Sequence, residues 1–271
     1  MKLKHIIYIT SVVIIIFIAG LSIYLPNRAS SEKGISPVTV FVHGYKGTAN
    51  SFGGMLGRFE RNDWGNKALL CYVTRSGHVK TYSLNNSKKK PIMVQVVFEN
   101  NRASFDDTAA GLSNVMKGLK YKYHIHAVNL VGHSMGGLIS VKYLEEYKDS
   151  TKYPVTHKLV TIGSPFDGIY NNYYFQINQD PAANDLKPGS PSLQLLETNA
   201  QAIPENIHAL SIASTGDPVA VPESVDKLKN IIPESRLTQE VIQNDQLGHS
   251  ELHENAQVDT MIHSFLWQER E

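Results

Sequence analysis

The sequence predicts an α/β fold, a mostly parallel β-sheet covered by helices on both faces, with an insertion late in the chain. Three observations predict it. Beyond an early hairpin, short β-branched or apolar runs alternate with stretches of helical periodicity, the pattern of strands joined by helical crossovers. Near the middle, Asn129-Leu130-Val131-Gly132-His133-Ser134-Met135-Gly136-Gly137-Leu138 sets Gly-x-Ser-x-Gly between an apolar run and a helix. The chain has 271 residues, 42% hydrophobic and 19% charged, which suits one globular body around a single core.

The N-terminal segment stands apart from that body. Met1-Lys2-Leu3-Lys4 is a short basic lead, and residues 6–25 follow without a charge, mostly Ile, Val, Leu and Phe. About 20 such residues span a bilayer core, whereas the apolar part of a cleaved signal usually has about 7–15. Residues 1–25 therefore read as a transmembrane anchor with the basic end inside and the body outside. Residues 26–36 then form a polar tether, and residues 37–271 the folded domain. The alternative is a body secreted after cleavage near Asn27-Arg28-Ala29-Ser30. Without Lys2 and Lys4, the 26 basic residues fall to 24 against 25 acidic ones, a net of about −1. Nothing in that balance calls for nucleic acid as a partner. The single cysteine, Cys71, lies in an apolar run and reads as a small core residue.

Taken in order, Pro37-Val38-Thr39-Val40-Phe41-Val42 is a β-branched run ended by His43-Gly44, a short buried strand. A glycine-punctuated turn leads to a helix over 49–61. Residues 68–73 and 78–83 flank Arg75-Ser76-Gly77, a hairpin signal. Ser87-Lys88-Lys89-Lys90-Pro91 is a solvated turn, and residues 92–98 are a further strand. Ser104-Phe105-Asp106-Asp107 caps a helix running to about 119. His124 and His126 stand at i, i+2 before the central strand, but no third ligand lies nearby and no His-Glu-x-x-His occurs, so neither a metal nor a cofactor is expected.

After the central serine come a helix over 138–147 and a strand over 158–162, closed by Gly163-Ser164-Pro165-Phe166. Residues 167–205 break the pattern: Tyr170, Tyr173, Tyr174 and Phe175 sit among prolines, Asn and Gln. A long irregular excursion inside a compact domain usually serves function, and a lid carrying Tyr170, Tyr173 and Tyr174 as substrate contacts is the natural assignment. A strand over 207–213, a short helix over 225–231, a strand over 237–242 and an amphipathic helix over 254–267 complete the chain.

A serine between strand and helix, flanked at two positions on either side by glycine, has the form of a nucleophile elbow. The tight turn forces strain on the serine and lifts its Oγ clear of the sheet, while the helix start aims N–H groups beside it. Such a hydroxyl reacts only when a base takes its proton and an anion holds that base. In chain order an acid and a histidine should follow on later strand-end loops. Asp217, in a Gly-Asp-Pro turn after a strand, suits the acid; Asp167, Asp226 and Asp245 suit it less. His249 suits the base, with His253 as the alternative. His-Gly followed by an aromatic after the first strand offers the Tyr45 N–H to a developing oxyanion.

The stretches Phe41-Val42-His43-Gly44-Tyr45, Val97-Phe98-Glu99-Asn100-Asn101, Val131-Gly132-His133-Ser134-Met135-Gly136-Gly137, Ile162-Gly163-Ser164-Pro165-Phe166 and His249-Ser250-Glu251-Leu252-His253-Glu254-Asn255 carry a family resemblance. From residue 38 to 267 the chain resembles the α/β-hydrolase superfamily, and is most similar to a bacterial family of proposed cell-surface, lipase-like hydrolases known as DUF915. The resemblance implies Ser134 as nucleophile, Asp217 as acid, His249 as base, and the N–H groups of Tyr45 and Met135 as oxyanion donors. One departure is visible. Such families often read Asp-Gly-x-Val-Pro after the acid, whereas Asp217-Pro218-Val219-Ala220-Val221-Pro222 has Pro for Gly and one extra residue. The expected activity is hydrolysis of a small or lipid-like ester at the cell surface; acyl transfer and non-catalytic binding are the alternatives.

Overall fold

The computed structural model describes residues 37–85 and 91–268. The expected anchor, its tether and the lysines of the turn at 86–90 lie outside the described residues. No described helix is long and apolar enough to cross a membrane.

Eight strands form one sheet: β1 (Val38–Val42), β2 (Asn66–Val73), β3 (Val79–Ser83), β4 (Ile92–Phe98), β5 (Ala127–His133), β6 (Val155–Ile162), β7 (His208–Ser214) and β8 (Leu237–Ile242). Their order is β3-β2-β4-β1-β5-β6-β7-β8, and every pair is parallel except the β2–β3 hairpin. Parallel pairing lines up the C-terminal strand ends along one rim. At that rim Val42 pairs with Gly132 and His133 with Ile162, so the residue after β5 emerges between β1 and β6.

Alternation along the strands supplies two apolar faces. Val38, Val40 and Val42 pack with α2 (Phe105–Tyr123) and α3 (Met135–Glu146). Phe41, on the opposite face, meets α1 (Gly53–Arg61) and α8 (Ala256–Trp267). There its ring stands edge-on to Phe52 at 5.3 Å. Val258, Ile262 and Leu266 form a single buried stripe on α8 at a spacing of four residues. Burying each such side chain contributes about 1.5–3 kcal/mol. Cys71 is buried in β2, and burial pushes its thiol up to about 11.

Element ends differ from the sequence reading for local reasons. α1 starts at Gly53, not 49, because Thr48 and Ser51 hydrogen-bond to each other in a preceding turn. α2 runs on to Tyr123 and ends at His124, which takes the left-handed φ of 55° that a glycine usually supplies. α8 starts at Ala256 because the Asn255 side chain accepts from the N–H groups of Gln257 and Val258. The helix expected over 225–231 divides into α7 (Pro222–Val225) and a 3₁₀ turn at Asp226–Asn230.

The excursion expected to be irregular holds three short helices: α4 (Asn172–Ile177), α5 (Pro181–Asp185) and α6 (Pro191–Thr198). Asn171, Asp180 and Ser190 each cap one through the side chain, and Pro181 and Pro191 open two of them. The polar composition that reads as loop is therefore largely capping chemistry. Phe166, Ile169, Ala182, Leu186, Leu193 and Leu196 join the core on the α2–α3 side, while Tyr170, Tyr173 and Ile177 stand exposed.

Candidate active site

Ser134 is the lone residue between β5 and α3, and its backbone pays for the turn: φ is 56° and ψ −129°. Glycine is required on both sides. A Cβ at Gly132 would lie 2.4 Å from the Gly137 nitrogen, and one at Gly136 would lie 2.1 Å from the Val42 carbonyl oxygen. No side chain caps α3, so the N–H of Met135 has no protein acceptor among the described residues, and neither has that of Tyr45. Gly44 brings the Tyr45 loop against the serine, since a Cβ there would stand 2.7 Å from Ser134 Cβ.

The Ser134 hydroxyl donates to His249 Nε2 at 2.9 Å, and His249 Nδ1–H donates to Asp217 Oδ2 at 2.7 Å. Asp217 is buried, and its Oδ1 accepts from the N–H groups of Val219 and Ala220, both at 2.8 Å. The departure noted after the acid thus still folds into a turn that satisfies the carboxylate; Pro218, which has no N–H, is skipped. Asp167 instead accepts from the Tyr170 hydroxyl, Asp226 pairs with Lys229, and Asp245 accepts from Thr215.

Of the two candidate histidines, only His249 reaches both partners. His253 packs between Phe52 and His133, with Nδ1 toward its neighbour Glu254, and burial lowers its proton affinity. The histidines beside the glycines are structural. His133 Nε2–H donates to the His249 carbonyl at 2.9 Å, and burial, with His249 and His253 alongside, holds the ring neutral. His43 Nδ1–H donates to the Gly44 carbonyl, Nε2 accepts from Phe98 N–H, and burial lowers its proton affinity too. Among the described residues no group of three or more His, Cys, Asp or Glu is placed to hold a metal.

Main-chain bonds run along the rim beneath these side chains. Ser134 N–H donates to Ile162 O, Gly163 N–H to Ile212 O, and Thr215 N–H to Ile242 O, at 2.8, 2.8 and 3.1 Å. Gly163 has a φ of 53°, and a Cβ on it would crowd Leu252, Asp217 and His249.

The sequence profile of the family described as "Alpha/beta hydrolase of unknown function (DUF915)" matches residues 26–269, nearly the whole chain. The chain belongs to the DUF915 family of α/β hydrolases. Two crystal structures share its fold closely: the product of lin2722 from Listeria innocua (TM-score 0.71) and a proposed cell surface hydrolase from Lactobacillus plantarum WCFS1 (TM-score 0.67). Each is 24% identical and covers 88% of this chain, with 96% and 94% of its own length aligned, respectively. Bacillus licheniformis lipase BlEst2 in mature form is more distant, at 14% identity and TM-score 0.55, covering 90% of this chain and 94% of its own. No curated protein matches the chain significantly.

Some contacts of this DUF915 protein escape sequence reading because the partners lie far apart in the chain. Arg58 donates to the His253 carbonyl and pairs with Asp259 and Glu254, fastening the segment that carries His249 to α1. Tyr45, expected only as an N–H donor, also uses its side chain: the hydroxyl donates to Asp180 Oδ2 at 2.5 Å and its ring meets that of Tyr174 at 6.0 Å.

Proposed function

We propose that this hydrolase cleaves carboxylic esters through a covalent acyl-serine. The observation that carries the reading is the hydrogen-bonded line from Ser134 Oγ through His249 to Asp217, set on a strained elbow. Ser134 Oγ attacks the ester carbonyl carbon while His249 Nε2 takes its proton, and Asp217 stabilises the imidazolium. The carbonyl oxygen gains the negative charge and meets the N–H groups of Tyr45 and Met135; one such donor is typically worth about 10²–10³ in rate. The tetrahedral centre collapses, its C–O bond to the leaving group breaks, and His249 returns the proton to the departing oxygen. Water then repeats the sequence on the acyl-serine and releases the acid.

The excursion after β6 forms the acyl side of the cleft in this reading, with Tyr174 beside the Tyr45 loop and Tyr170 and Tyr173 toward its mouth. Short-to-medium acyl groups in solution are its substrates. The uncharged run at 6–25 tethers the domain to the outer face of the cell membrane, so full-length protein should stay with membranes in high salt. Quantitative recovery of a processed form in the medium would overturn the tether. The chemistry is tested with a fluorophosphonate probe and p-nitrophenyl butyrate. Wild-type protein should be labelled and active, and Ser134→Ala should fold, resist labelling and lose on the order of 10³-fold in kcat. Comparable turnover by the variant would overturn the serine mechanism.

A further inference from the structure

The loop that offers the Tyr45 N–H is held in a costly shape. Lys46, the next residue, has a φ of 57°, a left-handed conformation that costs a non-glycine residue about 1–2 kcal/mol. Contacts from two directions impose it. From the segment after β4, Asn101 O accepts from Lys46 N–H and the Asn101 amide donates to Gly47 O. From the excursion, Asp180 Oδ2 accepts from the Tyr45 hydroxyl at 2.5 Å and from Arg102 Nη1 at 3.3 Å. Asn178 Oδ1 accepts from Lys46 Nζ and lies 3.2 Å from the Tyr45 hydroxyl oxygen. The Tyr174 ring closes over the Tyr45 ring. Asp180 is itself fixed, because its Oδ1 caps α5 through Ala183 N–H, and Ala182 N–H donates to Arg102 O.

This cluster joins the excursion to the loop whose N–H must stay in register with Ser134. Burial and the neighbouring carboxylate keep the Tyr45 phenol protonated, so the hydroxyl remains a donor across the working pH range. Resting on the ester-hydrolase reading above, we infer that Asp180 is a positioning residue for the oxyanion hole, acting through the Tyr45 hydroxyl. The excursion therefore keeps the hole assembled in the resting enzyme, and no opening step is needed to build it.

The inference separates cleanly from a role in substrate contact. Tyr45→Phe removes only the hydroxyl and keeps the backbone N–H. Asp180→Asn keeps a side chain able to cap α5 and removes the charge. Each should lower kcat about 10- to 100-fold, less than complete loss of an oxyanion donor. KM should stay within about twofold, and the factor should be the same for p-nitrophenyl acetate and butyrate, because the defect lies in the transition state rather than in acyl binding. A trifluoromethyl ketone, whose serine adduct carries the oxyanion, should bind more weakly by a similar factor. The double variant should lose no more than the worse single one. A raised KM with kcat unchanged, losses that multiply in the double variant, or undiminished ketone affinity would overturn the inference. Wild-type protein that neither labels nor turns over ester would instead overturn the hydrolase reading on which it rests.

Discussion

Under the proposed ester-hydrolase mechanism, Gly44→Ala tests how the Tyr45 loop and Ser134 are spaced. The added methyl would lie 2.7 Å from Ser134 Cβ, 2.8 Å from the His133 carbonyl oxygen and 3.3 Å from Ser134 Oγ. Ordinary carbon contacts are about 3.5–4.0 Å, so the loop must retreat by roughly 1 Å. The neighbours cannot give way, since His133 and Ser134 are fixed by β5, by the elbow and by the Ile162 carbonyl. The movement therefore falls on Tyr45, whose N–H would leave the position that the proposed mechanism gives to the oxyanion. A 1 Å displacement of a catalytic group costs on the order of 10²-fold in rate. Overpacking of this kind costs about 1–3 kcal/mol, a fall in Tm of about 3–10 °C for a domain of this size. The assay is kcat and KM on p-nitrophenyl butyrate, with circular dichroism to show the variant folded at the assay temperature. A folded Gly44→Ala protein within about threefold of wild-type kcat would refute the argument that glycine is needed to bring the hole against Ser134.

Three further outcomes follow from the same geometry. His249→Ala should abolish fluorophosphonate labelling while His253→Ala retains most of it; the reverse result would move the base to His253. Tyr174→Ala should raise KM for butyrate esters more than for acetate, and more than Tyr173→Ala does, because the Tyr173 ring is largely exposed whereas that of Tyr174 lies against Tyr45; equal effects on both esters would refute the acyl-side assignment. Burial pushes the carboxyl of Glu145 up to about 8, and its Oε1 has no partner among the described residues. The folded state therefore favours the protonated acid, a stabilisation intact below about pH 4.5 and lost as pH rises through about 8. Glu145→Gln should melt about 3–8 °C above wild type at pH 9 and close to it at pH 4.5, the gain expected from about 1–2 kcal/mol; parallel melting curves across that range would dismiss the account.

Several parallel strands and the elbow were legible because their signals are local. Val38–Val42, Ile92–Phe98 and Leu237–Ile242 are bounded runs whose limits coincide with or fall close to those read from sequence. Gly132 and Gly136 announce the turn at Ser134 through sterics within five residues. Asp217 and His249 were legible through chain order and loop position, and the structure brings them together with Ser134. What stayed hidden falls into two kinds. Caps such as Asn171, Asp180 and Ser190 resemble loop composition, so short helices read as irregular chain. Contacts such as Arg58 with Asp259 and Tyr45 with Asp180 join residues with 200 and 134 positions between them, and no periodicity reports such pairings.

The rim bonds from Ser134, Gly163 and Thr215 to the carbonyls of Ile162, Ile212 and Ile242 involve main-chain atoms alone. They take no account of which side chains the connecting segments hold, nor of how long those segments are. Between Gly163 and β7 the chain makes its longest detour, and between Thr215 and β8 another, yet each strand end is tied to its neighbour by a peptide. The spacing of the strand ends that precede Ser134 and Asp217 is thus set by the sheet, whatever the length of the segments that connect them. The excursion is nevertheless tied to the Tyr45 loop by Asp180, Asn178 and the Tyr174 ring, and to the core by Ile169, Leu186, Leu193 and Leu196. A graft that replaced the whole detour after Gly163 would have to restore both those core contacts and an acceptor at the height of the Tyr45 hydroxyl.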